Sequence, residues 1–191
     1  MLLLLCAKKL LPLPRQKTHI KMKLSKLLLI IAAIVAVVPS CKKTTTQLED
    51  DTKAIKNYLS ANGIQAQESN KVFYQVITEG TGEQCNPGDT VAVKYKMATI
   101  ESPDKIVQQN KGNKAVIYFL PSTLGSSSDD GAPIYGVQLG MVTMKEGGKS
   151  RFYIPSSYAY GSSYVGPDSV SYANIIYEVE LCEILRRDKK H

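Results

Sequence analysis

The sequence predicts an α+β domain in which an antiparallel β-sheet wraps around a short helix. Three observations predict it. Two segments, 90–99 and 175–181, alternate apolar and polar residues with the two-residue period of a half-buried strand. Clusters of Gly, Pro, Asn and Asp punctuate the chain at short intervals between apolar runs. Within 71–186, a single segment, Gly136 to Lys145, carries a helical period.

Taken in order, residues 1–40 form a leader, 41–70 a tether and N-terminal helix, 71–186 the domain, and 187–191 a solvated tail. Lys42 to Thr46 is polar and patternless. Thr46-Gln-Leu-Glu49 has the form of a capping box, in which hydroxyl and carboxylate satisfy opposed backbone donors. Leu48, Ile55, Tyr58 and Leu59 follow at helical spacing, and Asn62-Gly63 supplies a left-handed stop. A helix of this length is short for a dimer stalk, so docking on its own domain is expected. Gln65 to Asn70 reads as a polar link.

Lys71 to Thr78 holds Val72, Phe73, Tyr74, Val76 and Ile77, a strand expected to be buried on much of both faces. Thr90 to Thr99 places Val91, Val93, Tyr95 and Met97 on one face and Lys94 and Lys96 on the other. Ala115 to Leu120 is a further strand, and Pro121 to Pro133 a Ser- and Asp-rich loop. Gly136 to Lys145 reads as a short helix with Val137, Met141 and Met144 inward, ended by Gly147-Gly148. Arg151 to Ile154 is a strand stopped by Pro155, which lacks a ladder donor. Ser162 to Tyr172 is a flap. The last strand places Ile175, Tyr177, Val179 and Leu181 in, and Glu178 and Glu180 out.

Much chemistry is excluded. The two histidines, His19 and His191, lie in the leader and at the last position, so the domain has no histidine base, triad or metal ligand. Cys85 and Cys182 are too few for a structural zinc site, and whether they pair is open. Gly147-Gly-Lys-Ser150 imitates the end of a phosphate loop, but Thr143 stands where that motif needs glycine. Asp129-Asp130 reads as a solvated pair. No cofactor is expected. The formal charge of +7 invites a nucleic-acid reading, but the leader holds seven of the 24 Lys/Arg and no acid. The other 17 face 17 Asp/Glu, which removes the electrostatic case.

Two tyrosines around a small residue, in Ile154-Pro-Ser-Ser-Tyr-Ala-Tyr-Gly161, suggest either the wall of a shallow pocket or a turn that caps the core. The order of a helix at Gly136–Lys145, a glycine turn, this strand and turn, a flap, and a final strand ending Val-Glu-Leu181 resembles the FKBP family of peptidyl-prolyl cis-trans isomerases. The resemblance spans roughly Val72 to Leu185. It implies an apolar cleft that takes proline-containing polypeptides. It places Tyr95 on the early strand, Tyr160 as the flap tyrosine whose hydroxyl meets the ligand, and Tyr177 where phenylalanine is usual. It puts Ile134 where a backbone N–H receives the ligand carbonyl, and Val116 in place of a wall phenylalanine. Val107, Val165 and Val170 complete the lining.

Two positions depart from the family. Val137 replaces the tryptophan that floors the cleft, and the chain has no Trp. Ile106-Val-Gln-Gln109 lacks the usual aspartate, with Val107 standing in. Binding of macrolide immunosuppressants is therefore expected to be weak or lost. The resemblance implies an isomerase for exported proteins, or the same fold as a non-catalytic binding or chaperone module.

The leader supports export. Lys23 and Lys26 precede a twelve-residue apolar core, Leu27 to Val38, too short for a comfortable membrane span. Met22 fits as the start of this signal. The Val-Pro-Ser-Cys41 ending resembles a bacterial lipobox with Cys41 as the lipidated residue; the alternative is an ordinary signal peptide. The expectation is a lipid-anchored protein of the bacterial cell envelope, on the outer membrane, with a monomer favoured.

Overall fold

The computed structural model describes residues 44–112, 114–126, 131–166, 168 and 171–185. The signal segment, Cys41, Asp129-Asp130, Val170 and the 187–191 tail lie outside the described residues.

The elements in chain order are α1 (Thr44–Ala61), β1 (Gln67–Ser69), β2 (Val72–Thr78), β3 (Thr90–Thr99), β4 (Gln108–Gln109), β5 (Val116–Phe119), α2 (Tyr135–Met141), β6 (Lys149–Ile154), a 3₁₀ turn (Ser156–Tyr158) and β7 (Ile175–Leu185). The sheet runs β1-β2-β6-β7-β3-β4, with β5 also on β3, and its pairings are antiparallel. This is the α+β architecture expected.

Alternation decides what each face covers. On the inner face Val72, Phe152, Tyr177 and Val179 pack with Val91, Val93 and Met97 against α2, which contributes Val137, Leu139 and Met141. α2 comes close because two of its residues have no side chain. A Cβ on Gly136 would stand 2.1 Å from Ile154 Cγ2, and one on Gly140 2.6 Å from the Phe152 ring.

The outer face divides in two. Phe73, Tyr153 and Ile176 lie in register across β2, β6 and β7 and are covered by Ile55 and Leu59 of α1. The helix therefore docks on its own sheet, as its length suggested. Two residues further along, Arg151, Glu178 and Lys96 lie in register. The next row is Lys149, Glu180 and Lys94, which gives that half an alternating pattern of charge.

Several expectations are corrected. α1 begins at Thr44, so Thr46 lies inside the helix and not at its N-cap. Its end is as read: Gly63 has φ +63°, with Ile64 N–H on Leu59 O and Gly63 N–H on Ser60 O, a Schellman closure. The polar link contains strand β1, joined to β2 by the two-residue turn Asn70-Lys71 with φ of 50° and 67°. Positive φ at both turn residues matches the natural twist of a hairpin. β2 is buried only at its start, and Val76 and Ile77 are exposed. α2 stops at Met141, a turn before the glycine pair, and the Thr143 hydroxyl donates to Gly140 O there. Glu178 is on the outer face but is 6 % exposed, because cations cover it.

Candidate functional site

The site is set by where β3 and β7 cross the inner face. Met97 and Tyr177 are register partners, and Tyr95 lies opposite Val179. Tyr95 stacks on Tyr177, ring centroids 5.0 Å apart and planes 10° from parallel. Tyr118, on β5, tilts against Tyr95 at 6.0 Å, and its hydroxyl lies 2.9 Å from that of Tyr177. The Tyr160 hydroxyl donates to Met97 Sδ at 3.5 Å. Four tyrosines from four parts of the chain thus meet on the inner face, with Tyr160 and Tyr177 beside Met97.

The valines and Ile134 join the same apolar cluster. Val137 is fully buried beneath it; Val165 is buried; Val107, Val116 and Ile134 are half-buried. Val107 is tied to β3 by its N–H on Met97 O. The flap crosses it closely at Gly166, φ +77°, where a Cβ would stand 3.2 Å from Val107 Cγ2. Ile134 precedes α2 and its carbonyl receives the N–H of Val137 and of Gln138. Beside it is a hollow of about 230 Å³ between Ile134, Tyr135, Gln138 and the Gly125–Ser126 turn. The buried Gln138 amide holds that corner, donating to Pro133 O and accepting from Gly125 N–H.

The edge of β3 beside the site is held by a side chain. Asn110 Oδ1 accepts from Tyr95 N–H, and Asn110 N–H donates to Tyr95 O. Tyr95 is therefore fixed at the backbone as well as through its ring.

Burial raises the pKa of the Tyr177 hydroxyl far above the ordinary phenol value, reinforced by Tyr118. Burial does the same to Tyr118, partly offset by its bond to Tyr177. Tyr160 is raised by burial and by Tyr95. These hydroxyls stay protonated near neutral pH, so they are able to donate hydrogen bonds and are not poised as bases. The arrangement offers a cluster of aromatic rings carrying hydroxyls, with a small hollow beside Ile134.

Of the residues named from sequence, Tyr95, Tyr160, Tyr177, Ile134, Val107, Val116, Val137 and Val165 all belong to the main apolar core, which also holds Val72, Met144 and Ile184, and Val170 is outside the described residues. Tyr118 was missed. It is two residues from Val116 on one strand, so alternation puts it on the same face as Val116, which the resemblance had placed at the wall. Cys85 is buried and Cys182 half-buried, and neither is in a disulfide.

Sheet, short helix and tyrosine cluster together fit an α+β domain of the FKBP type. A sequence model of the FKBP-type peptidyl-prolyl cis-trans isomerase family matches residues 81–182, more than half the chain, and the chain belongs to that family. It is 31 % identical over 114 residues to mouse "Inactive peptidyl-prolyl cis-trans isomerase FKBP6", covering 60 % of this chain and 32 % of that protein. It is 31 % identical over 142 residues to the peptidyl-prolyl cis-trans isomerase Mip of Chlamydia trachomatis, covering 74 % of this chain and 52 % of that one. The chain thus spans about a third to a half of these relatives. The fold is similar to that of a peptidyl-prolyl cis-trans isomerase from Pseudomonas syringae pv. tomato, with TM-score 0.55 and 24 % identity over 72 % of this chain and 96 % of that one. It is also similar to FkpA from Escherichia coli, with TM-score 0.53 and 24 % identity over 86 % and 74 %.

Proposed function

We propose that the chain is a peptidyl-prolyl cis-trans isomerase that assists exported proteins by turning their X-Pro bonds at the tyrosine cluster. The observation that carries this reading is the stack of Tyr95 on Tyr177 with the Tyr160 hydroxyl over Met97. The X-Pro amide is held planar by resonance, behind a barrier of about 18–20 kcal/mol. Its uncatalysed turnover takes tens of seconds or more. No bond is broken, so no nucleophile or base is needed. An apolar hollow that strips water from the amide weakens the polar planar form relative to the twisted one. In this reading the stacked Tyr95 and Tyr177 form one wall against the pyrrolidine, Val107, Val116 and Val165 close the sides, and the buried Val137 packs beneath. The Tyr160 hydroxyl and the Ile134 N–H hold the flanking carbonyls, where they act only if aimed at the twisted state.

The signal-like leader and Cys41 extend the proposal to a lipid-anchored site on the bacterial envelope, at the outer membrane. The docked α1 suits a monomer. Loss of labelled-lipid incorporation in Cys41→Ala tests the anchor.

A second reading, a non-catalytic binding or chaperone module, is favoured by Val137 in the place of the floor tryptophan and by relatives that are named inactive. NMR exchange on a short Ala-Pro peptide with the purified full chain separates the two. Rate enhancement that drops in Tyr160→Phe supports the isomerase. Absence of enhancement from a folded chain, with peptide binding retained, supports the module.

A further inference from the structure

Asp51 of α1 is 3 % exposed, and no described residue forms an ion pair with it. A buried carboxylate is costly unless its oxygens are well bonded. Here Oδ1 accepts from Gln47 Nε2 at 2.8 Å, within the helix. Oδ2 reaches across to the 3₁₀ turn, accepting from Ser156 Oγ at 2.6 Å, Ser157 Oγ at 3.1 Å and Ser157 N–H at 3.3 Å. Ile55 and Leu59 already dock the helix through apolar contact. Asp51 adds a directional hold on one point of the domain, more than a hundred residues away in sequence.

That point supports Tyr160. The Ser156 carbonyl receives the N–H of Ala159 at 3.0 Å and of Gly161 at 2.8 Å, the residues on either side of Tyr160. From the opposite side, Ser156 N–H is held by Asn174 Oδ1 at 3.1 Å. Ser156 is therefore fixed at its hydroxyl, its N–H and its carbonyl, and the backbone that aims the Tyr160 ring hangs from it. We infer that Asp51 is a positioning residue for Tyr160, so that the docked N-terminal helix is a working part of the cleft. The effect on rate rests on the isomerase reading; the effect on Tyr160 geometry does not.

The test uses the full chain with ¹³C-labelled tyrosine. Tyr160 ring signals are assigned by their loss in Tyr160→Phe. Asp51→Ala is expected to move and broaden those signals and to lower kcat/KM about ten-fold per folded molecule, since small displacements of a positioned group cost rate steeply. Asp51→Asn, which keeps an acceptor, is expected to recover most of both. Ile184→Ala opens a cavity at the C-terminal end of β7, seven residues from Tyr177, and controls for lost stability alone; it is expected to leave the Tyr160 signals in place. Tyr160 signals unchanged in Asp51→Ala, or moved equally by Ile184→Ala, overturn the inference. So do moved signals with an unchanged rate in an active chain. If Asp51→Ala fails to fold, Ser157→Ala removes one of the three bonds, and the same readout decides. If the parent chain gives no rate enhancement, the isomerase reading falls and the Tyr160 signals alone judge the clamp.

Discussion

The hydroxyls of Tyr118 and Tyr177 meet at 2.9 Å, and the two are unequally shielded: Tyr177 is 4 % exposed, whereas Tyr118 is half-buried. The pair is therefore asymmetric under mutation. Tyr118→Phe strands a buried hydroxyl on Tyr177, at a cost of about 1–3 kcal/mol. Tyr177→Phe leaves Tyr118 able to turn toward water and costs about 1 kcal/mol or less. Removing both hydroxyls is expected to cost less than the two single changes added together. Urea unfolding of the three variants checks the order; equal costs for the single changes contradict it.

Glu178 makes the acid limb of stability. Burial pushes its carboxyl up, but hydrogen bonds from Arg151, Lys149 and Lys96 together outweigh that and hold it at about 2, against an ordinary 4.5. Arg151 Nη2 is 2.6 Å from one oxygen, while Lys149 and Lys96 are 2.9 and 3.2 Å from the other. A depressed folded-state pKa gives stability that is present above the unfolded value and is lost as pH falls through the folded one. The loss is expected between about pH 4.5 and pH 2. Glu178→Gln is expected to flatten that limb and to cost about 1–3 kcal/mol at neutral pH, the cations being partly exposed. Denaturant midpoints measured across pH in both proteins test it.

Gly136→Ala has no room. Its new methyl would meet Ile154 Cγ2 at 2.1 Å, and Ile154 is fully buried and cannot swing away. α2 must lift from the sheet, at a cost of about 1–3 kcal/mol. Because Val137 is the next residue, its packing in the core should shift too. Thermal unfolding and Tyr177 ring shifts report the two effects.

Ile55→Ala empties a fully buried position under α1 and is expected to cost about 2–5 kcal/mol. If the helix is integral to the domain, far-UV circular dichroism and tyrosine fluorescence still give one coincident transition. Separate transitions would show a helix that frays independently.

Much of the fold was legible where pattern and burial coincide. β3 occupies Thr90–Thr99 as its alternation indicated, and Pro155 ends β6 at Ile154 because the ring supplies no donor. Gln67-Glu68-Ser69 was not legible: its residues are polar, and the Asn70-Lys71 turn lacks the glycine that usually marks a tight hairpin. The outward direction of Glu178 followed from alternation, but its burial depended on Lys149 and Arg151, which only the register brings beside it. Tyr95, Tyr160 and Tyr177 could be named from the resemblance. Their support could not, because Asp51 looks like an ordinary acid in a helix until the fold sets it against Ser156.

The charge rows of the outer face also guard the assembly of the sheet. Sliding β7 by one residue against its neighbours would turn Glu178 into the oily interior and push Val179 out among lysines. Sliding it by two would keep the faces but bring Glu180 beside Arg151 and Lys96, leaving Lys149 and Lys94 across from Cys182 with no acid between them. A slip of one is thus penalised on both faces and a slip of two on the charged one, and a nascent sheet has one alignment in which grease and charge agree.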